Sequence, residues 1–322
     1  MKTIFILSET KDIHADQVIT HLGGHRVFRA NTDRYGSEWT IVQRGASVYF
    51  RDLVNGYEAS DFDSAWLRRF INRPNFEEVT GYDEATNIFL TNQNFVVAKN
   101  AIFALSARRS LNTTQSIDYA NSKFNHLKMF ESAGIKTPKT LITSSDEDLK
   151  IFLSETDSSI ALKQVYNDII ISENRNKVVY QLTQKIDKAN WGSLFPIGPS
   201  PMYFQEYIEK RNEYRVTVVG DKVFTCQIQS QKAHDERAKI DWRHYDIENT
   251  PHYAARLPDR LEKQIVGMTK HYGLNFCAID IVESTDGNYF GLDINPIGQF
   301  MWIEILTNLP ISNAIADWLV SD

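Results

Sequence analysis

Cysteine is almost absent from this chain: Cys226 and Cys277 are the two in 322 residues, far apart and in no CxxC pair. That excludes a disulfide framework and a cysteine zinc site, and a reducing, cytoplasmic compartment is expected. Basic charge is in deficit. Thirty-five Lys plus Arg against 41 Asp plus Glu leave a net charge of −6, which argues against a basic wrapper of nucleic acid while leaving room for a local basic groove, and no nucleic-acid partner is expected. No apolar run approaches the roughly 18 residues of a membrane span. The opening MKTIFILSETKD reaches charged residues at once and reads as a first strand, not a signal peptide. Glycine is missing where a dinucleotide-binding turn would need it, directly after that strand. A P-loop, a nucleophile-elbow serine and clustered Cys/His are missing too, which removes the common hydrolase and P-loop readings. What remains is an ordinary globular composition, 42% hydrophobic and 24% charged, long enough for about two domains.

The order of elements is readable. Thr3–Leu7 is a compact β run, Ala15–Leu22 has helical spacing, and Val27–Phe28 restarts a strand. A long helix is expected over Glu84–Ser106. The polar stretch Ser110–Ser116 marks a boundary, followed by one helix over Ile117–Ala133 and a strand within Ile135–Thr143. Ser144-x-x-Glu147 has the form of a capping box. Strands follow at Ile160–Val165, Lys177–Leu182 and Met202–Ile208. Glu213–Ser230 forms a hairpin around Gly220–Asp221. Gln231–Thr250 is polar and predicts a mobile loop. A helix over Pro258–Tyr272, strands at Phe276–Val282 and Tyr289–Ile294, and a helix over Ile311–Leu319 complete the chain.

The chemistry gathers in the last two thirds. Asp293 and Asn295, two apart in GLDINP, fall on one face of a strand because side chains alternate. A neighbouring strand brings Asp280 to that face. Three hard oxygen donors of this kind suit Mg²⁺, which keeps few carboxylates and completes its shell with water and phosphates; the competing reading is a cap on the turn before Pro296. Lys163, inside the apolar IALKQV, is placed as a point charge for a phosphate, or else guards a sheet edge. Lys123 lies on the polar side of its helix, where a lone lysine is ordinarily solvated. In FQEYIEK the run Gln205, Glu206, Tyr207, Ile208 has the form of a hinge whose backbone can pair with an adenine edge, or of an ordinary strand exit. Arg215 stands just beyond, within reach of a phosphate. Arg68, Arg69 and Arg73 form a basic cluster that either contacts such anions or supports an interface.

In that order — helix Lys, strand Lys, hinge, strand Arg, D…DxN — the set resembles the ATP-grasp superfamily over roughly residues 110–310. The segments DIHADQVITHL, WLRRF, LNTTQSIDYANSKF, QEYIEK…EYRVTVVGDKVF, Asp241-Trp-Arg243 and INPIGQFMWIE look, more narrowly, like the ATP-grasp ribosomal-peptide maturases of the microviridin/marinostatin (graspetide) type. The resemblance implies an ATP-grasp fold, α/β and α+β, with an N-terminal pre-ATP-grasp α/β domain (1–112), a central subdomain (113–205) and a C-terminal subdomain (206–322) carrying the metal site. It implies ATP bound by Lys123, Lys163 and residues 205–208, and Mg²⁺ on Asp280, Asp293 and Asn295. It further implies a ribosomally made precursor peptide, leader plus core, as partner, and a homodimer. Asp or Glu side chains of that peptide would be phosphorylated, then attacked by Thr or Ser hydroxyls or a Lys amine. Arg215 and Arg243 are the candidates to hold the acceptor carboxylate or acyl phosphate. Asp241 would orient Arg243 or take the proton of the attacking hydroxyl, unless DWR is only a loop salt bridge under a tryptophan lid. One departure stands out: Lys163 is followed by QVYNDIIISENRN, without the glycines that cover phosphates in many relatives. The alternatives are an ATP-grasp glutamate or amino-acid ligase acting on a protein tail or small carboxylate, and a peptide-binding protein that has lost catalysis.

Overall fold

The structure is a computed structural model. It describes all residues except 70–75, 166–168, 172–177, 181 and 245, with backbone alone for 169–171 and 178–180. Arg73, Lys177 and Gln181 of the strand expected at Lys177–Leu182, and much of the glycine-free segment after Lys163 therefore lie outside the described residues.

Three sheets dominate. The first is parallel, in the order Arg26–Asn31, Thr3–Ser8, Ser64–Leu67, Ser110–Leu111. Its two inner strands, Thr3–Ser8 and Ser64–Leu67, are nearly continuous apolar runs buried on both faces. The helix Ile13–Thr20 starts where Asp12 accepts the His14 N–H. The second sheet is antiparallel, Thr140–Thr143, Met202–Glu206, Ile160–Lys163, Gln184–Ile186. It is backed by the helix Asp146–Ser154, whose cap is Ser145 accepting from Asp148 N at 3.2 Å, one residue later than the sequence pattern predicts. The third has five antiparallel strands, His252–Ala255, Lys222–Ile228, Lys210–Val219, Phe276–Ser284 and Tyr289–Asn295.

Packing cuts across chain order. The C-terminal helix Ile311–Val320 shares a core with the first sheet, where Ile4, Ile6, Trp66, Ile315 and Leu319 are all within 3% of complete burial. The segment 114–132 packs on the third sheet through Ala120, Met129 and Phe130. That segment is two helices, Thr114–Asn121 and Lys123–Ser132, not one: Ser122 is extended (φ −79°, ψ 117°), a conformation that Ser favours at helix starts. The break makes Lys123 the first residue of a helix directed at the third sheet. Gly291 on the last strand lets that helix approach, since a Cβ there would lie 2.5 Å from the Phe130 ring.

The stretch 231–250 is not an unstructured loop. Its polar side chains cap its own backbone: Asp235 accepts from Arg237 N at 2.9 Å and opens the helix Glu236–Ile240, and Asp246 accepts from His234 N and Asp235 N. High polarity there serves local hydrogen bonding. Among the described residues no helix is long and apolar enough to cross a membrane.

Asn112, 1% exposed, joins the first and third sheets. Its amide donates to the carbonyls of Phe276 (2.7 Å) and Pro296 (3.0 Å), and its oxygen accepts Phe276 N (2.9 Å). Asn112→Ala leaves three buried backbone groups unpaired. It is expected to lower the unfolding free energy by about 3 kcal/mol, read as a shift of the urea midpoint at unchanged slope.

Candidate active site

Between the second and third sheets lies a cavity of about 490 Å³, within the usual size of a small-ligand site. All the residues given a nucleotide, metal or acceptor role line it: Lys123, Lys163, Gln205, Glu206, Tyr207, Ile208, Arg215, Asp241, Arg243, Asp280, Asp293 and Asn295.

The floor is one row across three strands. Arg215 pairs with Asp280, and Asp280 pairs with Asp293. A bulge at this point inserts Leu292 between the Asp280–Asp293 and Ile281–Gly291 pairs. Bulges re-aim side chains next to sites; here the one after Gly291 sets the phase in which Asp293 and Asn295 face the cavity. Two carboxylates directly opposite each other repel, so each carries its own cation. Arg215 Nη1 donates to Asp280 Oδ1 at 2.8 Å, and Lys123 Nζ donates to Asp293 Oδ1. Burial alone would raise the Asp293 carboxyl, but Lys123 and His126 outweigh it and hold it well below the usual carboxylate range. His126, 2% exposed, has Nδ1 at 3.0 Å from Asp293 Oδ1 and Nε2 on the Ala120 carbonyl at 2.7 Å. It is absent from the sequence-based set. The available signal was its place three residues after Lys123, on the same helix face.

On the opposite wall Lys163 Nζ donates to Gln205 Oε1 at 2.6 Å, and Gln205 Nε2 donates to Thr140 Oγ1 at 3.0 Å. The Gln205 side chain thus positions the lysine. Burial is the main reason the Lys163 ammonium titrates near 8; Asp293 opposes that shift and Lys123 adds to it. Along the hinge, Glu206 N donates to Lys139 O and Tyr207 N to Ser159 O, both at 2.8 Å. Those amides are committed to the sheet, whereas among the described residues Ile208 N–H has no backbone acceptor. Burial pushes the Tyr203 hydroxyl, beside Lys163, up to about 12, which keeps it neutral.

Asp241, 6% exposed, grips Arg243: Nε to Oδ1 at 2.9 Å and Nη2 to Oδ2 at 2.6 Å, with Thr183 N on Oδ2 at 3.2 Å. Burial would raise this carboxyl as well, and the Arg243 contacts overcome it and hold it low. Trp242 and Trp302, ring centroids 4.7 Å apart, close that end of the cavity. Of the arginine cluster, Arg68 is fully buried and outside the cavity, paired with Asp12 at 3.6 Å. It supports an interface and does not meet a ligand. Three His, Cys, Asp or Glu side chains never converge on one point among the described residues. A divalent ion at this floor would rest on two carboxylates, the Asn295 amide and its ligand's own oxygens, a donor set that suits Mg²⁺.

Two α+β layers closing on such a cavity, lysines on one side and a carboxylate–amide row on the other, define an ATP-grasp protein. A family profile described as RimK-like ATP-grasp domain matches residues 120–319, and the chain belongs to that family. Among curated proteins it is similar to the tetrahydromethanopterin:α-L-glutamate ligase of Methanococcus maripaludis, 22% identical over 211 residues, 64% of this chain and 68% of that one. Among solved structures it resembles the macrocyclase MdnC of Microcystis aeruginosa bound with its precursor peptide MdnA. That match has a TM-score of 0.83 and 27% identity, covering 99% of this chain and all of that one. It also resembles the RiPP-associated ATP-grasp ligase of Chryseobacterium gregarium in complex with ADP and a leader and core peptide. Here the TM-score is 0.86 at 27% identity, covering 99% of this chain and 96% of that one.

The depressed Lys163 gives a stability signature. The unfolded chain holds that proton up to about 10.4 and the folded chain only to about 8, so wild-type stability rises between those values as pH rises. Against Lys163→Met, the wild type is expected to gain more than about 1 kcal/mol from pH 7 to pH 10 in urea unfolding; a constant difference refutes the depressed lysine.

Proposed function

We propose that this protein is an ADP-forming ATP-grasp macrocyclase. It phosphorylates Asp or Glu side chains of a ribosomally made precursor peptide and joins them to Thr or Ser hydroxyls, or a Lys amine, as ω-ester or ω-amide rings. The observation that carries this reading is the end-to-end likeness to two peptide-bound relatives, combined with a cavity that pairs the phosphate-type cations Lys123 and Lys163 with the Asp280–Asp293–Asn295 floor.

The chain's residues divide the work. A carboxylate meeting ATP is a repulsive encounter between anions. Asp280, Asp293 and Asn295 would hold Mg²⁺, which would supply neutralisation of the phosphates. Lys123 and Lys163 add to it, so catalysis rests on positioning and electrostatics. The Ile208 backbone, at the hinge, takes the adenine edge beside Tyr207. The peptide carboxylate oxygen attacks the γ-phosphorus and ADP leaves. A hydroxyl or amine then attacks the acyl carbon, its proton leaves with the departing phosphate, and one water equivalent is lost overall. Arg243, fixed by Asp241, presents its guanidinium to the acceptor carboxylate and the acyl phosphate. Asp241 acts as that arginine's orienter and not as a base, because both its oxygens are taken and its proton affinity is low. Arg215, which donates to Asp280 at 2.8 Å, is the second candidate to hold the acceptor carboxylate or the acyl phosphate. The expected setting is the cytoplasm, with a homodimer as the assembly.

The relation to a glutamate ligase supports a second reading, addition of glutamate to a carboxylate. Mass spectrometry separates the two. With ATP, Mg²⁺ and the cognate precursor, the macrocyclase removes one water mass per ring, whereas a glutamate ligase adds mass; ADP release without peptide dependence and without a dehydrated product overturns the proposal.

Asp293→Ala and Asn295→Ala are each expected to abolish peptide-dependent ADP release while the near-UV circular dichroism stays native; wild-type turnover in either refutes the metal assignment. Arg243→Lys, which loses the forked contact, is expected to cost about 10²–10³-fold in kcat with ATP affinity within twofold of wild type.

A further inference from the structure

The segment that follows Asn295 is gripped from the N-terminal domain. Asn112 holds the Pro296 carbonyl, Arg68 Nη1 donates to the Ile297 carbonyl at 3.0 Å, and His14 Nδ1 accepts from Phe300 N (3.4 Å) and Met301 N (3.3 Å). Ile297 in turn donates its N–H to Asn295 Oδ1 at 3.1 Å, and Gly298 N donates to Asn295 O at 3.3 Å. The metal-floor amide is thus oriented by a residue whose other backbone group rests on Arg68.

Arg68 is a costly way to fill space. It is fully buried, its Nε and Nη2 have no hydrogen-bond partner among the described residues, and its carboxylate neighbour Asp12 sits 3.6 Å from Nε, beyond hydrogen-bonding distance. An apolar side chain of similar volume would pack there without that desolvation penalty. Among the described residues, the one hydrogen bond that its guanidinium completes runs to Ile297. The same loop leaves no slack on its inner side: a Cβ on Gly298 would lie 2.3 Å from Ala278 Cβ and 2.9 Å from Arg215 Nη2. A shift of Ile297 would therefore move Asn295, press on Arg215, or both.

We propose that Arg68 is a positioning residue of the metal floor, acting from the N-terminal domain through Ile297 on the Asn295 side chain. The inference rests on the assignment of Asn295 as a metal ligand under the proposed function. It gives the N-terminal domain a part in the chemistry although none of its described side chains lines the cavity.

The test is Mn²⁺ binding to the full-length protein with ADP, followed by electron paramagnetic resonance, alongside ADP affinity measured without metal. Arg68→Met is expected to weaken Mn²⁺ binding tenfold or more and to leave metal-free ADP affinity within twofold. Arg68→Lys, which still reaches the carbonyl, should recover part of the loss. Asn295→Ala should weaken Mn²⁺ binding by itself, and adding Arg68→Met to it should cost nothing further. If Arg68→Met does not fold, Arg68→Met/Asp12→Asn, which removes the buried pair together, takes its place in the same cycle. Unchanged Mn²⁺ binding, an equal fall in metal-free ADP affinity, or additive losses in the double variant overturn the inference while the metal assignment stands. No effect of Asn295→Ala overturns the metal assignment and this inference with it.

Discussion

Two carboxylates placed opposite each other on adjacent strands are the constraint around which the rest is arranged. Asp280 and Asp293 form a direct cross-strand pair, an arrangement that destabilises a sheet unless each charge is answered. Arg215 answers the first from the same sheet. Lys123 answers the second from a helix that must start at residue 123 to reach it, which is why the chain breaks at Ser122. His126 follows one turn later against the same oxygen. Every charged group here is partly desolvated, so removing any one leaves its partner with part of its burial cost unanswered. A ligand that brings positive charge on a metal and negative charge on phosphates can take over both roles at once, releasing carboxylates to the one and ammonium groups to the other.

The second wall is organised by a different economy of contacts. Gln205 spends both ends of its amide on Lys163 and Thr140, so one neutral side chain fixes a cation without neutralising it. Asp241 does the reverse for Arg243, fixing a cation by neutralising it in part. The contrast suits their proposed partners: a lysine for phosphates that arrive with a metal, and a paired arginine for a carboxylate that arrives without one.

Much of this was legible in the sequence, for identifiable reasons. Period-two alternation put Asp293 and Asn295 on one face, and the short turn at Asp286–Gly287 made Asp280 their neighbour; both inferences are local. Lys163 stood out because a charged residue interrupts an apolar strand. His126 gave no comparable signal, since its meaning depends on a carboxylate 167 positions away meeting the helix it shares with Lys123. Gln205 was found, but its side-chain role was not: only the three-dimensional pairing of Met202–Glu206 with Ile160–Lys163 brings it to the lysine. The polar stretch 231–250 was misread because a side chain that caps a backbone N–H looks, in sequence, the same as one facing water. For Arg68 the sequence left two readings open, contact with an anion or support of an interface; burial and the contact with Ile297 favour the second.

The closeness of Lys123 to Asp293 also depends on an atom that is missing. Phe130 sits against Gly291 where any other residue would place a methyl group or more, and Phe130 and Lys123 belong to one rigid helix. The electrostatic balance of the floor is therefore tuned sterically, from a position with no charge, no hydrogen-bonding side chain and no part in the polar motif. A homologue could keep every recognisable ligand in this cavity and still hold its ammonium and carboxylate at a different spacing, through the size of one residue two places before the aspartate.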